Sequence, residues 1–445
     1  MTRRDFIIRG SAAALLSELG LAGCAVFREG ETLPAWKPGE MDLHFIYTGC
    51  GENMFYRLPD GTAILNDTGD FYRPCDLRDV PLLPSAERLG GDWVARYVKR
   101  VYDERTIDYA IFSHWHEDHI GHAVWDHPKD DPNEAYRYRV TDDGRKINGF
   151  LCVAEEFRFR RYFDHQYPDR GSYCPHNSVM DLLIPWADAE SKKGMVVEPF
   201  RVGALDQIRL QRDPAKYRGV FSVRNVFANG KLWDGKDGVR DLAAENARAT
   251  KGRLLSQNVL SMGFVIQYGR FRYFNGGDVE GCLRQADGSV FEYEGEIGER
   301  VGPVSVCKMN HHGCMDTMCD RFARAVRAQA YVGCMWCPGQ ANVGVLRRLN
   351  AIGAHDGAKP LFLPQLVTPW HRDGGRKDGY ALPGLGAYHV VVKVLPGGER
   401  FRVYLLDARD EAMRVVARFE RPEVTRRSDL QQLLAEGDGD GLGAG

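Results

Sequence analysis

The chain has 445 residues, of which 44% are hydrophobic, so it can bury a large core in one large domain or in two. Its 59 lysines and arginines stand against 61 aspartates and glutamates, which gives a formal net charge of −2. Because there is no global basic excess, the net charge does not indicate a protein whose main role is to bind nucleic-acid phosphates.

The N-terminus carries two motifs of exported proteins. Residues 2–7, Thr-Arg-Arg-Asp-Phe-Ile, resemble a twin-arginine export signal, and a moderately apolar stretch follows them. Residues 21–24, Leu-Ala-Gly-Cys, resemble a lipobox, in which Cys24 would be lipidated. The apolar stretch is too short for a transmembrane helix, which needs about 20 apolar residues. We predict a signal in residues 1–24, a linker in 25–41, and an exported protein that is periplasmic or is anchored to the membrane through lipid alone. The alternative is an ordinary amphipathic helix.

Short apolar runs separated by glycine-rich turns predict a series of strands after the linker. The predicted elements are, in order, strands at 42–47, 54–58 and 62–65, a helix over 85–104 and a buried strand at 107–112. The helix follows from the spacing of its apolar residues, and the last strand from a short apolar run.

The densest motif is the stretch 113–122, Ser-His-Trp-His-Glu-Asp-His-Ile-Gly-His, which holds four of the chain's 13 histidines. Since side chains two residues apart in an extended segment point the same way, His114 and His116 can coordinate one ion together. Asp118 and His119 follow on a turn and can reach a second ion. Imidazole and carboxylate ligands suit Zn²⁺, Mn²⁺ or Fe²⁺, so the stretch predicts a metal site at a strand end.

The pattern His-x-His-x-Asp-His at a strand end resembles the signature of the metallo-β-lactamase-fold hydrolases. The resemblance implies a mixed α/β fold over residues 42–420, a four-layer αββα sandwich with a long insertion. It also implies two divalent metal ions, with zinc as the first expectation and manganese or iron as alternatives. In this family an Asp-x-Gly after the third strand supports the metal site, and Asp67 and Gly69 match it.

Residues 127–256 form a long segment compared with a minimal member of this fold, and we predict that they are an insertion that walls the substrate site. An arginine- and aromatic-rich run at 157–165 indicates either a contact for an anionic substrate or a helix with a salt-bridged face. His165 and His176 are candidates for the third ligand of the first metal.

A predicted hairpin leads into Gly277 and Asp278, and the resemblance implies that Asp278 bridges the two metals. Many family members carry a histidine before this hairpin, where this chain has Asn258 and Ser261. The branch that contains the hydrolase domains of DNA-uptake competence channels and the phosphorylcholine esterases shows the same Asn-x-x-Ser pattern. Asn258 and Ser261 are therefore expected to support the site or to contact substrate. The first metal site is left poor in histidine, so manganese or a single ion is an alternative to two tightly bound zinc ions.

A further predicted strand delivers His311 and His312, followed by a glycine. The resemblance implies that one histidine completes the second metal site and that the other contacts the leaving group. We favour His312 as the ligand and His311 as the catalytic contact. Lys308 lies on the same strand and could face either way. His389 begins a later strand and is expected to be structural or to support the site, and the polar residues 421–445 predict a disordered tail.

These residues together predict an exported hydrolase that uses a metal-bound hydroxide. The expected ligands are His114 and His116 for the first ion, Asp118, His119 and His312 for the second, and Asp278 as the bridge. Asp118 is also expected to be essential for turnover.

Resemblance to the branch favours a phosphodiester substrate. The alternatives are an amide, lactone, thioester or lactam hydrolase and a non-catalytic lipoprotein that binds an envelope ligand. The substrate is expected to be a small molecule or a cell-envelope component.

Overall fold

The computed structural model describes residues 31–70, 82–122, 138–170, 177–245, 256–281, 283–284, 290–336, 340–365 and 387–421. The predicted signal, the first part of the linker, almost all of the predicted tail and the candidate ligand His176 lie outside these residues. Within the described part of the chain, no helix combines the length and the hydrophobicity that crossing a membrane requires.

Two large sheets account for most of the described strands. In chain order the strands are β1 (Met41–Phe45), β2 (Asn53–Arg57), β3 (Ala63–Thr68), β4 (Thr106–Ile111), β5 (Arg139–Val140), β6 (Lys146–Ile147), β7 (Arg158–Asp164), β8 (Val196–Pro199), β9 (Phe221–Ala228), β10 (Lys231–Trp233), β11 (Val239–Asp241), β12 (Gly263–Tyr268), β13 (Phe271–Asn275), β14 (Leu283–Arg284), β15 (Val290–Phe291), β16 (Val306–Lys308), β17 (Ala330–Gly333), β18 (Leu361–Pro364), β19 (Tyr388–Val394), β20 (Phe401–Asp407) and β21 (Val415–Arg421). The helices are α1 (Gly90–Val101), α2 (Glu117–Ile120), α3 (Phe150–Ala154), α4 (Ser178–Lys192), α5 (Leu242–Glu245), α6 (Tyr293–Val301), α7 (Asp320–Val326) and α8 (Val343–Ile352).

The first sheet has nine strands in the order β21-β20-β19-β1-β2-β3-β4-β7-β8, and the second has eight in the order β11-β10-β9-β12-β13-β16-β17-β18. Each sheet changes from antiparallel to parallel pairing partway across. In the first sheet the parallel part begins with the β3–β4 pair, and in the second with the β13–β16 pair. Parallel neighbours place their carboxyl ends at one edge, so each sheet brings several strand ends to a common edge.

The two sheets pack face to face over one apolar core. Tyr56 of β2 and Tyr273 of β13 cross this core with ring centroids 5.5 Å apart. The alternation along a strand separates the two faces of each sheet. Ile64 of β3 belongs to the core between the sheets, whereas Leu65 belongs to the core under the helices on the outer face.

Helices cover the outer face of both sheets. On the first sheet, Phe150 of α3 packs on Phe159 of β7, with ring centroids 5.4 Å apart. On the second sheet, Phe274 of β13 packs on Phe322 of α7, with centroids 5.8 Å apart. The four-layer αββα arrangement that the family resemblance implied is therefore confirmed.

Two expectations about the elements need correction. The first helix spans Gly90–Val101 and is shorter than the predicted 85–104. The described parts of 127–256 do not form a separate wall, because β7 and β8 extend the first sheet and β9, β10 and β11 extend the second. The arginine-rich run at 157–165 is strand β7 and not a helix. Its Phe159 and Tyr162 are buried in the core under the helices, and its Phe163 is buried in the core between the sheets.

A polar network crosses the apolar core between the sheets. The side-chain amide of Asn275 donates to Asn66 Oδ1 over 2.8 Å and to the hydroxyl of Tyr56 over 3.2 Å. The hydroxyls of Tyr56 and Tyr273 lie 2.8 Å apart. Since buried polar groups must find partners, this network fixes how the carboxyl end of β3 sits opposite the carboxyl end of β13.

His389 lies on β19 and does not contact the predicted metal ligands. Its Nδ1 accepts a hydrogen bond from the backbone N–H of Tyr47 over 3.0 Å, and its ring lies against Tyr97 with centroids 4.7 Å apart. Burial lowers the pKa of His389 to about 3, so the folded protein holds the ring neutral. His389 therefore fits the structural alternative and does not support the site.

We expect His389 to make the protein less stable in acid. Below pH 6.5 the unfolded chain protonates this ring while the folded chain does not, so stability falls as the pH falls. Between pH 7.5 and pH 5 this group alone should cost about 2 kcal/mol of unfolding free energy. Urea unfolding of the wild type and of His389→Asn at both pH values tests this. A variant with the same pH slope as the wild type would contradict it.

Candidate metal centre

The predicted site residues come from the edge where carboxyl ends of both sheets meet. Asp67 closes β3, Ser113 and His114 follow β4, Asp278 follows β13, and His312 follows β16. The metal-loop residues after β4 enter the short helix α2 at Glu117. The edge therefore gathers residues that are more than 200 positions apart in the chain.

Four side-chain atoms converge at the centre of this edge. Asp278 Oδ2 lies 2.9 Å from His119 Nε2 and 3.1 Å from His312 Nε2. Asp118 Oδ2 lies 3.0 Å from His312 Nε2 and 3.7 Å from His119 Nε2. Ligands about 2.0–2.1 Å from a tetrahedral ion lie about 3.3 Å from one another, so the four separations between histidine nitrogens and carboxylate oxygens are close to those that such an ion requires. We name Asp118, His119, Asp278 and His312 the quartet.

The second nitrogen of each quartet histidine has its own acceptor. His119 Nδ1 lies 3.2 Å from Asp67 Oδ2, and His312 Nδ1 lies 2.8 Å from the carbonyl oxygen of Cys334. With a proton on Nδ1, each ring directs the lone pair of Nε2 at the quartet. Such contacts orient metal-binding histidines and raise their basicity.

The quartet is set in a strongly acidic, buried environment. Burial by itself lowers the pKa of His119 and of His312, but the negative charges around them, that of Asp278 first, outweigh burial and raise both pKa values well above the ordinary range. Two protons or one divalent cation can offset this charge. The residues present therefore fit a divalent metal ion.

The structure also brings His114 and His116 together. His114 Nε2 and His116 Nδ1 lie 2.9 Å apart, so the two rings are directed at one point as predicted. Burial lowers the pKa of both rings, and that of His114 well below its ordinary value. Both are therefore neutral and have a lone pair to share.

No third ligand for this histidine pair is found among the described residues. His165 is excluded because it packs on Trp115, with ring centroids 4.8 Å apart, and Trp115 belongs to the core on the helix side. Adjacent residues in an extended segment point to opposite sides, so Trp115 and His165 lie behind the pair. The prediction of His165 as a ligand is wrong.

The two polar residues before the hairpin act at different places. Ser261 Oγ accepts the backbone N–H of Asp278 over 3.2 Å and so supports the quartet. Asn258 donates to Glu280 over 3.1 Å and does not contact the histidines. The residue that touches the metal loop is Gln257, whose Oε1 accepts the N–H of Trp115 over 3.1 Å. No sequence signal had singled out Gln257.

Two further charged residues complete the centre. Glu52 Oε2 lies 2.8 Å from Lys308 Nζ and 3.3 Å from His312 Nδ1, and both side chains are fully buried. Lys308 faces inward and lies 3.1 Å from Asp278 Oδ1. Glu52 was missed because a single acid after a glycine turn has no distinctive pattern.

Glu52, His119, Asp278 and His312 also form a buried group whose ligand atoms all lie within 4.8 Å of one another. Glu52 approaches His312 from the Nδ1 side, away from the quartet. Asp118 approaches from the Nε2 side. Asp118 is therefore the better fourth ligand, and Glu52 lies behind the site.

Three residues at this edge have unusual backbone conformations. Asp67, His311 and His312 have positive φ angles of 54°, 44° and 55°, which side-chain-bearing residues rarely adopt. The N–H of Ser113 donates to Asp67 Oδ1 over 2.6 Å, and the N–H of His311 donates to the carbonyl oxygen of Gly277 over 3.2 Å. These contacts hold residues in conformations that serve the site at some cost in stability.

His311 lies on the more exposed side of the site. Its side chain is 26% exposed, and its Nδ1 lies 3.7 Å from Asp316 Oδ2. Its neighbour His312 points inward and is 2% exposed. The structure thus separates the two histidines as predicted, with His312 among the ligand atoms and His311 toward solvent.

We expect Asp67 to control metal affinity without binding the metal. In Asp67→Asn, Oδ1 can still accept the N–H of Ser113, but an amide replaces the oxygen that faces His119 Nδ1. Loss of such an acceptor costs about 10- to 100-fold in metal affinity. Competition against a chromogenic chelator measures this. Asp108→Asn is the control, since Asp108 is a buried carboxylate that instead accepts the N–H of Ala63 and pairs with Arg212. Unchanged affinity in Asp67→Asn would contradict the expectation.

Comparisons with known proteins give little beyond the architecture. No protein-family model matches the chain, and no curated protein matches it. The matches among solved structures include a mutant of CmlA beta-hydroxylase, with 13% sequence identity and a TM-score of 0.37. The match covers 81% of this chain and 60% of the hydroxylase chain. This chain therefore spans less than two thirds of the length of the hydroxylase. At this identity and TM-score the likeness carries no argument about activity or substrate.

Proposed function

We propose that the protein is a divalent-metal-dependent hydrolase that cleaves a phosphodiester. The observation that carries the proposal is the quartet, in which His119, His312, Asp118 and Asp278 direct four ligand atoms at one point. The quartet lies at a sheet edge beside the more exposed His311, and sites on α/β sheets are typically found at such edges.

A divalent ion in the quartet would supply Lewis acidity and make water a stronger acid at neutral pH. The protein's own residues hold this geometry. Asp67 orients His119, the carbonyl of Cys334 orients His312, and Ser261 fixes the backbone of Asp278. Four protein ligands alone make a structural site, so catalysis at the quartet requires room for a water molecule beside them. The partly exposed side chains of Asp118 and His311 mark the side from which water would enter.

Two observations support a phosphodiester over other substrates. The first is the resemblance of Asn258 and Ser261 to the Asn-x-x-Ser pattern of the competence-channel and phosphorylcholine-esterase branch. The second is charge. In the described structure the acids of the centre pair with histidines and with Lys308, and with no arginine. A phosphate monoester carries two negative charges and is commonly bound by arginine side chains. A phosphodiester carries one negative charge and needs less positive charge from the protein.

We propose that His311 gives a proton to the leaving oxygen. Its ring is partly exposed to solvent, and Asp316 lies next to its Nδ1. Burial lowers the pKa of His311, but Asp316 and the other acids outweigh burial and raise it above its ordinary value. A raised pKa favours the protonated ring, which is the form that a general acid must supply.

We further propose that the protein acts in the cell envelope, on a small molecule or an envelope component. This rests on the motifs at residues 2–7 and 21–24 alone. Export would follow folding and metal loading, because the twin-arginine-like motif is that of a pathway for folded proteins.

The proposed function predicts hydrolysis of a chromogenic bis-aryl phosphate. Chelator-treated protein reloaded with Zn²⁺, Mn²⁺ or Fe²⁺ should turn the substrate over, and Asp118→Ala should fall to the background rate. Asp108→Asn controls for loss of a buried carboxylate elsewhere. Full activity in Asp118→Ala would overturn the proposal, and a metal-loaded protein that cleaves only amides, lactones or thioesters would move it to those bonds.

The role of His311 predicts a dependence on the leaving group. His311→Gln should slow a diester with a poor alkoxide leaving group by about 10²- to 10⁴-fold, because the leaving oxygen needs a proton. The same variant should change the rate for a nitrophenolate leaving group far less. Steady-state rates on both substrates test this. An equal loss on both would show that His311 does not act as the acid.

A further inference from the structure

We infer that Lys308 withholds one oxygen of Asp278 from metal, so that the centre holds one ion tightly in the quartet and not two. This favours the single-ion alternative over two ions, and it rests on the proposed function because it assumes that the quartet binds a divalent ion. Two residues of the metal centre produce this effect, Lys308 and Glu52, and neither was predicted to belong to it from the sequence.

Lys308 is held in place by two hydrogen bonds and one ion pair. Its Nζ donates to the carbonyl oxygen of Gly277 over 2.7 Å and to Asp278 Oδ1 over 3.1 Å. Its Nζ also lies 2.8 Å from Glu52 Oε2, with which it forms an ion pair. The side chain is fully buried and cannot turn to solvent without abandoning these partners.

Glu52 makes this arrangement stable. A lone ammonium buried beside a metal ion would be strongly unfavourable, but the carboxylate of Glu52 offsets its charge at 2.8 Å. The backbone N–H of Glu52 also donates to the carbonyl oxygen of Asp118 over 2.7 Å. Glu52 therefore joins Lys308 to the loop that carries the quartet.

The two oxygens of Asp278 consequently face different groups. Oδ2 faces His119 and His312, and Oδ1 faces Lys308. A carboxylate that uses both oxygens to bridge two ions would have to release Lys308. The positive charge of Lys308 also repels a second cation near Asp278.

The first-ion position is poor in ligands even without this effect. His114 and His116 supply two nitrogens, and among the described residues no third group joins them. A tightly held zinc normally has three or four protein ligands. Asn258, which stands where many family members have a histidine, donates to Glu280 instead.

The first test is the number of ions that the full chain retains. Protein stripped with a chelator is incubated with excess Zn²⁺, freed of unbound metal by gel filtration, and its zinc is counted by mass spectrometry. We expect one ion per chain in the wild type and still one in the double variant His114→Gln, His116→Gln. His312→Gln should lose it, with an affinity at least 100-fold weaker in chelator competition.

The second test removes the proposed block. The double variant Glu52→Gln, Lys308→Met removes the buried charge pair together and frees Asp278 Oδ1 from its ammonium partner. We expect this variant to retain a second zinc ion. Circular dichroism checks its folding, and if it does not fold, the wild-type count and the His114→Gln, His116→Gln count decide the matter.

The outcomes separate the inference from the proposed function. Two ions in the wild type, with one lost in His114→Gln, His116→Gln, would overturn the inference and leave the proposed function standing. A single ion that depends on His114 and His116 and not on His312 would also overturn it. No retained ion would overturn the proposed function itself. A folded Glu52→Gln, Lys308→Met that still holds one ion would refute the role of Lys308.

Discussion

The centre depends on one electrostatic constraint, the burial of more negative than positive charge. Glu52, Asp67, Asp118 and Asp278 carry four negative charges against the one positive charge of Lys308, which leaves −3. Burying uncompensated charge is among the costliest things a fold can do. The raised pKa values of the nearby histidines are the response of a chain without metal to this excess. A divalent cation offsets two of these three charges without protonating the histidines, and it can also activate water.

The fold brings these charges together from distant parts of the chain. Each sheet turns from antiparallel to parallel, and the first parallel strands end at one edge. The Asn66–Asn275 hydrogen bond between the sheets sets the ends that carry Asp67 and Asp278 opposite each other. The apolar layers above and below exclude water from the buried acids. Stability and site are thus coupled, since the packing of the sheets decides the spacing of the ligands.

Sequence reasoning reached the residues that occur in a dense local pattern. Three motifs can be recognised in the sequence alone: the stretch 113–122, the Gly-Asp at 278 and the histidine pair at 311–312. The strands around them have clear apolar runs. It failed where the signal is non-local. Glu52 and Gln257 matter only because of what tertiary packing places beside them. The segment 127–256 was predicted to be an insertion because it is long compared with a minimal member of the fold, yet β7 to β11 extend both sheets. His165 lost its predicted role because Trp115 turns to the opposite side of the metal loop.

The most direct test of the central claim is where a bound ion lies. Crystals of the chelator-treated protein soaked in Zn²⁺ and measured at the zinc absorption edge would show it as an anomalous peak. The account predicts a strong peak within about 2.0–2.2 Å of the ligand atoms of Asp118, His119, Asp278 and His312. A peak held by other residues, or the absence of any peak at this edge of the sheets, would contradict it.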